Sequence, residues 1–210
     1  MSIEGRFITL EGSEGAGKTS AMETLTEVLT SWHVPFITTR EPGGEPTAEL
    51  IRNILLNSEH LDNKTELLLM FAARNEHLVK KIRPALKSGV WVVSDRFVDA
   101  SFAYQGMGRG IDWSTIEYLE SMTVKTSQPD LTLYLDVDPA VGLQRAADRS
   151  DKDRIEKEGL SFFKNIRNGY LKRFESCSQR ICKIDANSSI NDVKAEIKRV
   201  MSMRKKDLLR

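Results

Sequence analysis

The densest chemistry in the chain lies in eight consecutive residues, Gly12-Ser13-Glu14-Gly15-Ala16-Gly17-Lys18-Thr19. They fit the pattern GxxxxGK[ST], whose glycines let the backbone curl until successive N–H groups point into one concavity sized for phosphate. A helix starting there adds the partial positive charge of its N-terminus. Lys18 supplies a point charge for β- and γ-phosphates, and Thr19 a hydroxyl for Mg²⁺. The ligand implied is a nucleoside triphosphate. A glycine-rich turn without a ligand is the bland alternative. The order of elements disfavours it, because the apolar run Phe7–Leu10 leads in and a helical pattern from Lys18 through Leu29 leads out.

A second group points to a second anion. Arg40 lies in Thr39-Arg40-Glu41-Pro42-Gly43-Gly44, and Asp95 and Arg96 end the run Val93-Ser94-Asp95-Arg96. Ligands of open parallel sheets sit beyond the carboxyl ends of the strands, so these residues should share a crevice with the phosphate loop. Two arginines there, with Arg52 on the next helix, suit bidentate capture of another phosphate. A lone surface arginine would mean little. In Met70-Phe71-Ala72-Ala73-Arg74, both Phe71 and Met70 stand at helical spacing from Arg74. An aromatic face beside a guanidinium could stack on a base and bond its edge. Taken alone, the same stripe reads as core.

The elements that must hold these groups are short apolar runs alternating with longer amphipathic stretches. The runs are Phe7–Leu10, Val34–Thr38, Val90–Ser94, Leu131–Val137 and Ile181–Ile184, with helical patterns such as Ala21–Leu29, Glu66–Lys87, Ser114–Val124 and Asp192–Val200 between them. This alternation predicts a parallel sheet covered on both faces, within one domain spanning residues 1–210. The polar stretch Ala147–Glu158, with Ile155 as its one strong hydrophobe, reads as an excursion between helices suited to a lid.

Bulk properties narrow the class. Hydrophobic residues make up 40% and charged residues 29%, as in soluble globular proteins. A net charge of +1 gives no global field to recruit nucleic acid or a membrane surface. The basic tail Met203–Arg210 reads as a solvated helix end. Cys177 and Cys182, with the scattered His33, His60 and His77, fit neither a disulfide framework nor a common zinc pattern. No apolar stretch approaches the roughly 18 residues of a membrane span, and no basic segment precedes an apolar run at the N-terminus. A reducing cytoplasm is the expected compartment.

The residues together resemble thymidylate kinases. The match is carried by Gly12–Thr19, the Thr39–Gly44 segment, Phe71-Ala72-Ala73-Arg74, Asp95-Arg96-Phe97, Tyr104-Gln105-Gly106-x-Gly108-Arg109-Gly110, Pro129–Asp136 and Asp153-Arg154-Ile155-Glu156. It implies transfer of the ATP γ-phosphoryl group to dTMP with Mg²⁺. It implies a P-loop NTPase-like three-layer α/β fold, with a five-stranded parallel sheet flanked by helices, a short lid at about 147–158, and a homodimer. Arg96 and Arg40 resemble the residues that hold the dTMP phosphate, with Arg52 assisting. Arg74 and Ser101 resemble the thymine-edge contacts, Tyr104 the tyrosine under the sugar, and Gln105 a further polar contact. Glu14 resembles the loop residue that meets the sugar 3′-OH, and Asp95 the carboxylate near the metal and the transferred group. Glu41-Pro42 resembles a position where the peptide is cis.

One departure is the aromatic residue, which stands one place late in the helix. Phe71 is the expected base-stacking residue, with Met70 as the alternative. Because Ser13, Glu14, Gly15 and Ala16 include no arginine, the catalytic arginine is expected from the lid, with Arg149 first and Arg145 and Arg154 behind it. Adenine is expected near Arg145 and Asp185–Ser189. A guanine switch is disfavoured, since Asn63-Lys64-Thr65-Glu66 lacks the aspartate of the reader motif. The closest rival is a kinase of the same fold acting on another nucleotide or a deoxynucleoside.

Overall fold

A computed structural model describes residues 4–147, 154–155 and 157–210. Five strands, β1 (Phe7–Glu11), β2 (Phe36–Arg40), β3 (Trp91–Asp95), β4 (Leu131–Asp136) and β5 (Ile181–Asp185), pair in the order β2-β3-β1-β4-β5. Every pairing is parallel. The central strand β1 and its neighbour β4 are buried along their whole length, which is why they read as near-continuous β-formers. The run expected from Val34 starts instead at Phe36. Pro35 has no N–H to pair, and the ladder opens with the Trp91 N–H donating to the Pro35 carbonyl at 2.8 Å.

Alternate residues of β1 feed opposite layers. Ile8 and Leu10 meet Leu25 and Leu29 of α1 (Lys18–Ser31) and Ile197 and Met201 of α9 (Ile190–Leu208). Phe7 meets Leu67, Phe71, Leu78 and Phe97 on the other side. Several layers of apolar side chains thus clamp the sheet between helices, the dominant favourable term in its folding.

The long helix expected over Glu66–Lys87 is three segments. Asp62 caps α3 (Asn63–His77) by accepting from the Lys64 and Thr65 N–H groups. A π-helical turn, Leu78–Ile82, follows, and then α4 (Arg83–Lys87). Pro84 explains the interruption, since it offers no N–H and its ring would oppose a carbonyl four residues back. The widened turn closes with the Arg83 N–H donating to the Leu78 carbonyl. A second π-helical stretch, Phe102–Gly108, extends α5 (Val98–Ser101). It packs against α8 (Leu160–Ser176) at Gly169, where a Cβ would stand 2.7 Å from the Ala103 Cα. The remaining helices are α2 (Pro46–Asn57), α6 (Trp113–Thr123) and α7 (Pro139–Ala147).

Register brings the chemistry together. Arg40 and Leu10 both pair with Asp95, and Leu10 also pairs with Leu133. The loops that leave β1, β2 and β3 therefore emerge at one level on one edge of the sheet.

Candidate active site

Those loops line a cavity of about 280 Å³. Glu14, Gly15 and Lys18 come from the phosphate loop, Arg40, Glu41, Pro42 and Arg52 from the β2 side, and Asp95 and Arg96 from the end of β3. Met70, Tyr104 and Gln105 complete the polar and sulfur-bearing wall, and Leu55, Leu56 and Ile155 form an apolar one. Two sets of predicted residues, one for each anion, thus face one space.

The phosphate loop holds its shape through backbone conformations that favour glycine. Gly15 and Gly17 have φ of 70° and 87°. A Cβ on Gly15 would also overlap the Gly142 carbonyl of α7, so the loop rests directly on that helix. The Lys18 Nζ donates to the Gly12 and Ser13 carbonyls, each at 3.2 Å, which curls the lysine over the loop. Burial, and then the neighbouring Arg96, push the Lys18 ammonium below its ordinary value, while Asp95, Glu14 and Glu11 pull it upward.

Arg96 has φ of 69°, left-handed for a residue other than glycine, and its N–H donates to the Leu10 carbonyl at 2.8 Å. Its guanidinium lies 4.6 Å over the Tyr104 ring and donates to Glu14 Oε1 at 2.7 Å. The Tyr104 hydroxyl donates to Glu14 Oε2 at 2.8 Å. Burial would raise the Glu14 carboxyl, but Arg96, Lys18 and the Tyr104 hydroxyl together hold it below its ordinary value. Glu14 therefore occupies the guanidinium with an internal carboxylate. The half-exposed Arg40 is held by both carboxylate oxygens of Glu49 at 3.1 Å, and Arg52 donates to the Pro42 carbonyl at 2.7 Å.

Behind this front lies a buried charged group that sequence reading did not anticipate. Glu41 accepts from Arg74 Nε at 2.7 Å, and its other oxygen is 3.0 Å from His77 Nδ1. His77 Nε2 lies 2.7 Å from the Thr39 hydroxyl, and the Glu41 N–H donates to the Asp95 carbonyl at 2.9 Å. Glu41, Arg74 and His77 are almost wholly buried, and each has the hydrogen-bond partners that burial of a polar group requires. The Glu41-Pro42 peptide is cis, as the resemblance implied.

Three expectations change. Phe71 does not face the cavity. It is buried against the sheet, with its ring 4.9 Å from the Arg74 guanidinium carbon, while Met70 lines the cavity. One residue is 100° of helix, enough to turn a side chain from site to core. Arg74 and Ser101 do not line the cavity either. Arg74 spends its donors on Glu41, on the Ser101 hydroxyl at 2.9 Å and on the Phe97 carbonyl at 3.0 Å. Arg154 lines no part of it and is held by other partners, donating to Glu66 Oε2 at 2.6 Å and the Leu55 carbonyl at 3.1 Å. Arg149 lies outside the described residues.

A metal would find few protein ligands here. Among the described residues no group of three carboxylates, histidines or cysteines converges. Asp95 Oδ1 is nevertheless buried without a hydrogen-bond partner at the cavity wall, and the Thr19 side chain is exposed at the loop. One or two protein oxygens beside substrate phosphates is the donor set that suits Mg²⁺.

A second cavity, of about 290 Å³, lies on the far side of the phosphate loop. Gly15, Gly17, Ser20, Arg145, Ala186 and Ser188 line part of it, and Arg145 donates to the Ala186 carbonyl at 2.8 Å. Gly15 borders both cavities.

Beneath the site, Glu11 is fully buried and accepts from the Phe97 N–H at 2.7 Å and the Tyr170 hydroxyl at 2.9 Å. Burial, then the charge of Asp99, push its carboxyl from 4.5 up to about 8, against the pull of those two bonds and Arg96. A carboxyl raised by folding contributes stability that is fully present below its unfolded value and lost as pH rises through the folded one. The window here runs from 4.5 to about 8. Glu11→Gln is neutral throughout, so its melting temperature should rise relative to wild type as pH increases across that window. Parallel melting curves for the two proteins would remove this role.

A family model described as thymidylate kinase matches residues 10–197. The chain is 49% identical over 198 residues to a thymidylate kinase of Nitrosospira multiformis, covering 94% of this chain and 97% of that protein. It is 46% identical over 201 residues to one from Teredinibacter turnerae, at 95% and 98% coverage, and 45% identical over 197 residues to one from a Marinomonas species, at 93% of each.

Proposed function

The chain belongs to the thymidylate kinase family, and from that premise we propose how this site phosphorylates dTMP. The observation that carries the proposal is a single cavity lined by Lys18 of the phosphate loop and by Arg40, Arg52 and Arg96. The donor is ATP, with its phosphates on Gly12–Thr19 and its base in the cavity bordered by Arg145 and Ala186. The acceptor is dTMP, with its phosphate on Arg96 and Arg40, assisted by Arg52. Met70, in place of Phe71, packs on thymine through its polarisable sulfur. A base edge reaching Arg74 or Ser101 must share groups already bonded to each other. Tyr104 lies under the sugar, with Gln105 beside it.

The acceptor is itself an oxyanion, so a strong general base is not required. The difficulty is bringing two polyanions together, since unit charges 4 Å apart repel by about 4 kcal/mol at an effective dielectric of 20. Arg96 and Arg40 neutralise the acceptor, and Lys18 the donor. When dTMP arrives, its phosphate displaces the Glu14 carboxylate from Arg96, and Glu14 turns to the sugar 3′-OH. Thr19 and Asp95 would hold Mg²⁺, which when bound with ATP offsets charge on the β- and γ-phosphates. Arg149 is the lid residue proposed to reach the transferred group.

An acceptor panel of dTMP, dUMP, dCMP, dGMP and thymidine, in an assay coupled to ADP release, tests this reading. dTMP should be the best acceptor and thymidine inert, because a nucleoside gives the arginines nothing to hold. Preference for thymidine would overturn the assignment of Arg40 and Arg96.

A homodimer is also proposed. Leu50 and Ile54 of α2, Leu68 of α3, Val79, and Tyr118 and Met122 of α6 leave large apolar side chains exposed on neighbouring helices. Sedimentation equilibrium reads the mass directly, and a monomer at micromolar concentration would reject the dimer. No helix among the described residues is long and apolar enough to cross a membrane, and the cytoplasm is the proposed compartment.

A further inference from the structure

Glu66 is almost completely buried at the wall of the acceptor cavity, yet its partners are not the arginines proposed to hold phosphate. Its Oε1 accepts from Gln105 Nε2 at 2.8 Å, and Arg109 Nε lies 3.4 Å from its Oε2. That same oxygen takes the 2.6 Å bond from Arg154. Arg109 in turn pairs with Glu158 and lies 4.6 Å over the Phe162 ring. Two carboxylates and two guanidiniums thus alternate in one chain of contacts, Arg154–Glu66–Arg109–Glu158. Its outer members both come from the segment between α7 and α8, and its inner members from α3 and from the turn that follows the Phe102–Gly108 stretch.

The placement has a consequence for the acceptor. Arg154 also donates to the Leu55 carbonyl, and the next residue, Ile155, lines the cavity beside Leu55 and Leu56. Glu66, Met70 and Arg74 follow at four-residue spacing on one face of α3. The face that presents Met70 to the acceptor cavity is therefore the face that grips the segment carrying Ile155. Gln105, bonded to Glu66, lines the same cavity.

We infer that Glu66 is a positioning residue, a buried carboxylate that, through Arg154, seats Ile155 in the apolar wall of the acceptor cavity and so sets affinity for the acceptor nucleotide. The inference rests on the reading of that cavity as the dTMP site. Glu66 touches no reacting atom. Its carboxylate is shared by Arg154 and Arg109, and losing it leaves both largely buried guanidiniums short of a counter-charge.

The test compares Glu66→Gln, Arg154→Gln and the double variant in the full chain. Each single change should raise the KM for dTMP by about tenfold while the KM for ATP stays within about twofold, and the double variant should be no worse than the singles, as expected of residues in one contact network. Tryptic cleavage after Lys157 should quicken in all three, and dTMP should slow it less than in wild type. That readout separates the two layers of argument. If wild type fails to phosphorylate dTMP, the function reading falls, whereas unaltered cleavage in the variants removes the seating role itself. Additive losses in the double variant, or equal rises in both KM values, would also overturn it. If Glu66→Gln fails to fold, Arg154→Gln, altered at the more exposed end of the pair, decides alone by the same KM and cleavage criteria.

Discussion

Arg96→Ala is expected to lower kcat/KM for dTMP by about a thousandfold, the upper-middle of what removing one partner of a buried charge-assisted contact costs. Three features make this position expensive to lose. The guanidinium is held over Tyr104 and lies at the cavity wall, so it meets the acceptor phosphate already oriented. Its backbone is left-handed at φ 69°, which fixes where the side chain emerges from β3. Its removal also strands Glu14, whose carboxylate would then sit near the incoming phosphate with less compensation. Arg96→Lys should recover little, because an ammonium offers neither the planar fork nor the stacking surface. Steady-state kinetics with varied dTMP, alongside calorimetric binding of dTMP, separates affinity from turnover. A loss below about tenfold would shift the phosphate site away from Arg96.

Lys18→Ala should lower kcat by about 10³, within the range seen when one preorganised electrostatic group is removed from a transition state, with little change in the KM for dTMP. Lys18 is curled over the phosphate loop by the Gly12 and Ser13 carbonyls and lies close to Asp95 and Glu14. Burial there weakens the ammonium's hold on its proton, so the charge is desolvated before the donor arrives. Such a charge interacts strongly with negative charge that shifts during transfer. If the KM for ATP alone rose and kcat were intact, Lys18 would be a ground-state contact only.

What could be read without coordinates divides along a physical line. Local patterns carried the phosphate loop, the parallel sheet and its strand ends, because spacing along the chain there maps directly onto position. Strand boundaries moved by a residue at most ends and by two at β2, where Pro35 withholds a donor, and the long helix divided ahead of Pro84, which does the same. The choice between Phe71 and Met70 was lost because both stand at helical spacing from Arg74, and only packing against the sheet distinguishes them. The buried charges were illegible for a different reason. Glu41 and Arg74 are 33 residues apart and Glu66 and Arg154 are 88 apart, and in a string each reads as an ordinary surface charge. Asp99 shows the same limit. It is fully buried, with Arg173 Nε and Arg180 Nη2 each 2.7 Å from its Oδ1, so that two letters typical of solvent-facing helices make an interior joint. His77 was counted as one scattered histidine, yet it braces the loop that carries Arg40.

Gly15 has a bearing on how this enzyme can change. A single stretch of main chain is the party wall between two rooms, and it is itself pressed against Gly142. Substituting side chains can enlarge or shrink either room, yet none of those changes thickens the wall. Redesign toward bulkier bases or altered sugars is therefore a matter of furnishing one chamber, while the peptide at Gly15 that both chambers share stays in place.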